Sequence, residues 1–223
     1  MRRQRVTNSL AIELAGEEVL LHHDRALIWP ARRAVFVADL HLGKSDVFRR
    51  AGIAIPEGAT LADLNRLTRL VEEEQIDTLI VLGDFVHGRT TMSSAHRNHF
   101  AMWREHHQSL RVVIVEGNHD RHERETRDAW NVEWVGEGFE VGPFVCAHHP
   151  RASQSGYVLS GHVHPVVKLH ASSRESARIP VLCITQDFAV LPSFGSFTGG
   201  AEVELVDHQR VYGFAEQRVW KLR

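Results

Sequence analysis

Asp39 and His41 form the pattern Asp-x-His directly after the apolar run AVFVA. Residues i and i+2 at the end of a strand point to the same side. An aspartate oxygen and a histidine nitrogen with this spacing can therefore reach one cation. The pattern alone is weak evidence, since a turn aspartate followed by a surface histidine also fits it.

Asp84 follows a second apolar run, TLIVLG, where a buried carboxylate needs compensation. Metal coordination is one solution, and the two carboxylate oxygens can bridge two cations. His87 lies three residues further on. A turn would fold it back over the site, where we expect it to stabilise developing charge.

The sequence Gly-Asn-His-Asp ends a third apolar run and supplies Asn118, His119 and Asp120. Asn118 offers a neutral carbonyl oxygen as a ligand. Because adjacent residues point in different directions, Asn118 and His119 should not bind the same metal. His119 is then available for acid–base work, with Asp120 expected to orient it.

Four further histidines complete the set: His148 and His149 in CAHHP, and His162 and His164 in GHVH. The i, i+2 spacing in GHVH places both imidazoles on one side, and two metals ~3.5–4 Å apart can take one each. A single histidine on an apolar face is more often a hydrogen-bonded core residue. Five such motifs in order, each after a predicted strand, favour a two-metal site.

The elements that must position these residues are short apolar runs typical of buried strands, at 34–41, 78–84, 111–120, 144–150 and 157–165. Leucines at helical spacing between 61 and 74 predict a helix with Thr60 as its N-cap, and Ser93 or Ser94 is expected to cap a second helix. The N-terminal stretch and the later runs predict strands and hairpins. The predicted fold class is α/β, a two-sheet β-sandwich flanked by helices, with one domain over residues 1–223.

The composition is that of an ordinary globular protein, with 43% hydrophobic and 24% charged residues. Cys146 and Cys183 each lie in an apolar run and are expected to be buried free thiols. The N-terminus lacks the continuous apolar segment of a signal peptide, and no apolar run is long enough to span a membrane. We therefore expect a cytoplasmic protein with no membrane partner.

The net charge of −2 does not indicate a nucleic-acid binder as a whole. A nucleic-acid backbone would have to meet a local basic group, which is either Arg32, Arg33, Lys44, Arg49 and Arg50 or Arg121, Arg124 and Arg127. Solvated charged faces are the alternative interpretation. Lys44, Arg49 and His149 are the predicted substrate contacts.

The ordered motifs from Asp39 to His164 resemble those of the calcineurin-like metallophosphoesterase superfamily. This resemblance implies that Asp84 bridges two metals and that His148, rather than His149, is a ligand. It implies a first metal held by Asp39, His41, Asp84 and His164. It implies a second metal held by Asp84, Asn118, His148 and His162.

Longer stretches, including RALIWPARRAVFVADLHLGKSDVFRRAGIAIPEG, GDFVHGR and LPSFGSFTGG, resemble the bacterial ligase-associated DNA damage response endonucleases (PdeM). That group implies a Mn-dependent phosphodiesterase or nuclease of DNA repair, encoded beside an ATP-dependent DNA ligase and a helicase-related exonuclease. His87 stands where phosphoprotein phosphatases have an aspartate. It is similar to a nuclease branch in which a histidine of this turn assists catalysis.

The donor set of oxygens and imidazoles without thiolates suits Mn, Fe or Zn. The expected mechanism is attack on phosphorus by a metal-bridging hydroxide, with His119 protonating the leaving oxygen. Three functions remain open. They are a DNA phosphodiesterase or endonuclease, a small-nucleotide phosphodiesterase or phosphatase, and a non-catalytic metal-stabilised module that docks a ligase or helicase.

Overall fold

Two mixed β-sheets pack face to face in the computed structural model, which describes residues 9–50, 52, 58–88, 93–120, 130–170 and 176–223. Within these ranges the first sheet contains β1 (Ser9–Leu14), β2 (Glu17–His22), β3 (Ala26–Trp29), β4 (Ala34–Val37), β5 (Thr78–Leu82), β6 (Arg111–Val115) and β7 (Glu133–Val135). The second contains β8 (Phe139–Val141), β9 (Phe144–Cys146), β10 (Tyr157–Ser160), β11 (Pro165–His170), β12 (Ser176–Ile184), β13 (Phe188–Val190), β14 (Ala201–Glu202), β15 (Arg210–Ala215) and β16 (Arg218–Lys221). The described helices are α1 (Lys44–Arg50), α2 (Ala59–Glu73) and α3 (Ser94–His106).

The first sheet runs in chain order from β1 to β7. Strands β1 to β4 form an antiparallel meander, and β4 to β7 are parallel. Helices α1 and α2 lie in the connection from β4 to β5, and α3 lies in the connection from β5 to β6. The predicted strand–helix–strand alternation is therefore confirmed, and it brings the carboxyl ends of three strands to one edge.

The second sheet is mixed and includes the two later histidine-bearing runs. Strand β10 is parallel to both of its neighbours, β9 and β13, whereas β11, β12, β15 and β16 are joined by antiparallel pairings. The polar residues after β9 and β10 thus approach the edge of the first sheet from the opposite layer. The predicted two-sheet α/β sandwich with a single domain is confirmed.

The apolar core has two main layers. One lies between the sheets and includes Phe36, Ile80 and Phe144, and the other lies under α2 and α3 and includes Leu64 and Trp103. Cys146 and Cys183 are buried free thiols, as predicted. None of the described helices has the length and apolar composition needed to cross a membrane.

The helix starts show one correct and one wrong prediction. Ser93 caps α3 by accepting a hydrogen bond from the backbone N–H of His96 at 3.3 Å. Thr60 is not the cap of α2, because the helix begins one residue earlier, at Ala59, after Gly58 with a left-handed φ of 86°. The glycine ends the preceding loop by its backbone conformation, so a side-chain cap is not used.

Candidate metal centre

Loops that follow five strands bring the predicted ligands together, three from the first sheet and two from the second. The loops follow β4, β5, β6, β9 and β10. Three overlapping groups of side chains have ligand atoms within 4.8 Å of one another: Asp39, His41 and His164; Asp39, Asp84 and His148; and His148, His149 and His162.

One end of the centre is formed by Asp39, His41 and His164. The Nε2 atoms of His41 and His164 are 3.4 Å apart. The Nε2 of His164 lies 3.5 Å from Oδ2 of Asp39, and the Nε2 of His41 lies 3.6 Å from Oδ2 of Asp84. Two nitrogens and two carboxylates therefore point at one small volume, which we call the Asp39 end.

The other end is formed around His148, and we call it the His148 end. Its Nε2 lies 2.9 Å from Oδ1 of Asn118 and 3.0 Å from Nδ1 of His162. The same Nε2 is 3.5 Å from Oδ1 of Asp84. The two oxygens of Asp84 thus face different ends, which is the arrangement that a bridging ligand requires.

The carboxylates at the centre lack the partners that a buried charge needs. Asp39 is fully buried, and within the described ranges its Oδ1 accepts no hydrogen bond. Burial raises the pKa of Asp84, although the backbone N–H of His119 donates to its Oδ1 at 3.0 Å. Because unpaired buried carboxylates are costly, these donors fit a pair of divalent cations.

Outer hydrogen bonds fix which nitrogen of each imidazole faces the centre. The Nδ1 of His148 donates to the carbonyl of Leu82, and the Nδ1 of His164 donates to the carbonyl of Thr198, both at 3.3 Å. Since a carbonyl can only accept, both Nε2 atoms keep their lone pairs for a metal. Burial lowers the pKa of His148 to about 4 and holds that of His41 far below its usual value. Neutral imidazoles are the form that binds cations.

The backbone of the ligand loops differs from the extended geometry assumed from the sequence. Left-handed φ values occur at Asp39 (53°), His41 (48°), Asp84 (47°), His162 (68°) and His164 (49°). Such values are uncommon for residues other than glycine and cost of order 1 kcal/mol or more each. Each of these ligands therefore leaves its strand by a sharp turn rather than by continuing the pleat.

Gly83, directly before Asp84, leaves room for a side chain of the other sheet. Its φ is 83°, and a Cβ atom there would lie 2.1 Å from Nδ1 of His148. The imidazole of the second sheet therefore passes directly over this residue of the first sheet. A larger residue would separate His148 from Asp84.

His119 and His87 stack at the open side of the Asp39 end. Their ring centroids are 4.8 Å apart with an interplanar angle of 22°. The side chain of His119 is 38% exposed, and its Nε2 lies 3.9 Å from Oδ2 of Asp84. Burial lowers the pKa of His87 to about 4, and its Nδ1 lies 3.1 Å from Nδ1 of His41. Asn118 and His119 point to different ends, as expected.

Asp120 occupies a different position from the predicted one. It is fully buried, its Oδ1 accepts from the backbone N–H of Val86, and its Oδ2 accepts from that of Gly117, both at 2.9 Å. The carboxylate therefore braces the turn after β5 against the turn after β6. Burial raises its pKa to about 7.

The residues predicted to contact substrate make the following contacts. Lys44 donates from Nζ to the carbonyl of Thr198 at 3.1 Å, and Arg49 pairs with Asp46 at 3.3 Å. The His149 ring centroid lies 4.4 Å from that of His162. Its Nδ1 lies 2.8 Å from Oε1 of Glu137, a contact that no local sequence pattern predicts.

The first of the two basic groups proposed from the sequence is split, because its members lie at opposite ends of β4. Arg32 and Arg33 precede β4, so they lie at the end of the strand opposite to Asp39. They cannot share a surface with Lys44, because β4 separates them. The side chain of Arg50 is outside the described part of the chain, as are Arg121, Arg124 and Arg127.

The fold and site define a metal-dependent phosphoesterase, and comparison with known proteins agrees. Residues 32–164 match the family described as calcineurin-like phosphoesterase, so the chain belongs to this family. It is similar to the solved structure of the Pseudomonas putida nuclease MPE, with 39% identity and a TM-score of 0.84 over 96% of this chain and 100% of that one.

Two other solved structures are more distant. A protein of unknown function from Aquifex aeolicus has 18% identity and a TM-score of 0.42, with 59% of this chain and 78% of that chain covered. The phosphoesterase YfcE from E. coli has 14% identity and a TM-score of 0.44, with 80% and 86% covered. The comparison with curated proteins gives no match.

Proposed function

We propose that this protein is a phosphodiesterase that cuts nucleic acid with the help of two divalent cations. The observation that carries the proposal is the placement of Asp84 between two groups of nitrogen and oxygen donors, with one oxygen facing each. A single cation would leave one of these groups without a metal.

The chain supplies ligands for both cations. Asp39, His41 and His164 would hold one, Asn118, His148 and His162 would hold the other, and Asp84 would serve both. Two bound cations lower the pKa of water and neutralise charge on a phosphate. Mn is the metal proposed from the sequence resemblance, and the donor types equally suit Fe or Zn.

His119 is the proposed general acid. Its half-exposed ring stands at the mouth of the centre, where a proton can pass to a leaving oxygen. His87 has a complementary role. If Nε2 of His41 faces the metal, its Nδ1 carries the proton and donates to Nδ1 of His87. The proton of neutral His87 then sits on Nε2, which makes this atom a donor toward an anionic substrate.

Two observations support a nucleic-acid substrate. The nuclease from Pseudomonas putida is 39% identical over almost the whole chain. Lys44 and His149 lie near the centre and offer donors for flanking phosphates, and Arg49 is proposed as a further phosphate contact from the sequence. The roles in DNA repair and beside a DNA ligase follow from the sequence resemblance described above.

The test is hydrolysis of an aryl phosphodiester and of the matching monoester by the metal-free protein supplied with Mn²⁺, Fe²⁺ or Zn²⁺. We expect cleavage of the diester that depends on Mn²⁺, followed by cleavage of DNA with an affinity that falls as salt rises. Cleavage of the monoester alone would instead identify a phosphatase.

A variant separates catalysis from metal binding. His119→Asn should keep both cations and lose about 10²–10⁴-fold in turnover, the range for a general acid. Unchanged turnover would remove His119 from the mechanism. Absence of activity with any metal, with both cations bound, would favour a non-catalytic role.

A further inference from the structure

The segment 193–198, here called the 193–198 loop, lies against the Asp39 end and contacts it through backbone atoms. The N–H of Phe194 donates to the carbonyl of Ala38 at 2.7 Å. The hydroxyl of Ser193 and the N–H of Gly195 both donate to the carbonyl of Asp39, at 2.7 and 3.2 Å. The loop therefore fixes the backbone on which the first ligand is carried.

The same loop also contacts two side chains of the site. The carbonyl of Thr198 accepts from Nδ1 of His164 at 3.3 Å and from Nζ of Lys44 at 3.1 Å. One backbone oxygen thus determines which nitrogen of His164 faces the centre and where the Lys44 ammonium sits. Outer acceptors of this kind orient a ligand and raise its affinity for the metal.

Gly195 shows how closely the loop is packed. A Cβ atom at this position would lie 2.5 Å from the carbonyl oxygen of Leu40 and 3.1 Å from that of Asp39. The loop backbone therefore lies against the site with no room for a side chain at this position.

Two charged residues on the inner face of α2 contact the loop from its other side. Asp63 accepts from the N–H of Ser196 at 3.0 Å and from the Ser196 hydroxyl. Arg66 donates to the carbonyl of Phe194 and lies 4.0 Å above the centroid of its ring. Asp63 and Arg66 are 3.3 Å apart.

The burial of this pair is unusual for a stabilising contact. The side chains of Asp63 and Arg66 are 10% and 14% exposed. Removing two charges from water costs several kcal/mol per ion, and an apolar pair of similar size often gives equal or better stability. The pair is better explained by the exact placement of the loop that it bonds than by its contribution to stability.

We propose that Asp63 and Arg66 are positioning residues for the Asp39 end, acting through the 193–198 loop and the Thr198 carbonyl on His164. The inference rests on the metal centre proposed above. Its effect should be largest at the Asp39 end, because Nδ1 of His148 is held by the carbonyl of Leu82 in β5 instead.

The experiment is calorimetric titration of the metal-free, full-length protein with Mn²⁺, so that it needs no substrate. His41→Ala and Asn118→Ala identify which binding event belongs to which end. Arg66→Ala and Asp63→Ala should weaken the event at the Asp39 end by about tenfold or more and weaken the other event less. Asp63→Asn, which keeps an acceptor for Ser196, should recover part of the loss.

Arg69→Ala is the matched control, since Arg69 is an exposed arginine one turn further along α2. Gly195→Ala displaces the loop from the opposite side and should weaken the same event, which provides the test if Arg66→Ala does not fold. Equal weakening at both ends, or an Arg66→Ala titration identical to that of Arg69→Ala, overturns the inference alone. A wild-type chain that binds no Mn²⁺ overturns the metal centre and the proposed function as well.

Discussion

The two ends of the first sheet differ in the exposure and the pairing of their charged side chains. At the amino ends of the parallel strands, Arg33 lies 2.6 Å from Asp77, and Arg111 lies 2.7 Å from Glu133, with all four side chains at least half exposed. After β5, Asp84 is 3% exposed and faces imidazoles whose pKa burial depresses. The first end has ordinary surface ion pairs, and the second has a buried carboxylate surrounded mainly by imidazoles.

This difference indicates which end of the first sheet carries the candidate functional site. Exposed ion pairs contribute about 0–1 kcal/mol, whereas a buried unpaired carboxylate costs several. The ligand residues at the second end also adopt left-handed backbone. Stability alone would select against both features, so their presence marks the functional end of the sheet.

The sharpest test of this difference uses the two aspartates at opposite ends of β5. Asp84→Asn should reduce Mn²⁺-dependent turnover by on the order of 10³-fold, or about 4 kcal/mol of barrier, because a bridging charge is removed. Asp77→Asn should leave turnover within about twofold. Similar losses in both variants, measured as kcat/KM at saturating Mn²⁺, would show that the two ends do not differ in this way.

His22 extends the comparison to acid stability at the functional end, because it pairs with Ala26 beside the carboxyl end of β4. Burial, followed by the charge of His23, lowers its pKa from 6.5 to about 4. Between pH 6.5 and about 4, His22 is therefore protonated in the unfolded chain and neutral in the folded chain. The stabilisation is complete above pH 6.5 and is lost as pH falls toward 4, by about 3 kcal/mol.

Urea unfolding of wild type and His22→Gln between pH 7 and pH 4 measures this effect. The free energy of unfolding should fall less steeply with acid in the variant. Parallel pH profiles would show that other groups cause the acid sensitivity.

Removal of metal should destabilise the protein, and the loss should come from the metal centre at the carboxyl end of the first sheet. At a free concentration 100 times its Kd, each cation stabilises the fold by about 2.7 kcal/mol, or roughly 5–10 °C in Tm for a chain of this size. Calorimetry with and without chelator should show this shift in wild type. It should shrink markedly in Asp84→Asn, and an unchanged shift in that variant would place the stabilising metal elsewhere.

The smallest effect is expected at the opposite end. Arg111→Ala removes the hydrogen bonds to Glu133 and should change the free energy of unfolding by less than about 1 kcal/mol, with a smaller difference at high salt. A loss of several kcal/mol in urea unfolding would mean that the exposed pairs support the sheet as much as its core does.

The sequence predicted the strands and the clustering of the polar residues that follow them, because both depend on local patterns. Apolar runs followed by Asp, Asn or His identified β4, β5, β6, β9 and β10 and the residues after them. Leucine spacing predicted α2, but Leu61 is 42% exposed while Leu64 is buried. Steps of three residues turn by about 300°, so a row of leucines drifts around the helix and its first member leaves the buried face.

Other features depend on contacts between distant parts of the chain. Asp63 and Arg66 look like an exposed i, i+3 pair in the sequence, and only their packing against the 193–198 loop shows otherwise. Asp120 was expected to orient His119, but the meeting of two turns directs its oxygens to backbone donors. The left-handed φ values of Asp39, Asp84 and His164 are a backbone feature that no local pattern predicted.

The division of the centre between two sheets has a consequence for the order of folding. The N–H of His162 donates to Oδ2 of Asp39 across 123 positions of the chain. A chain with only its first sheet formed would hold Asp39, Asp84 and Asn118 but none of the second-sheet imidazoles. Long-range contacts of this kind form late, after the entropy of loop closure has been overcome. Tight metal capture during refolding should therefore lag behind the burial of the first sheet, so that a bound cation marks a chain whose assembly is complete.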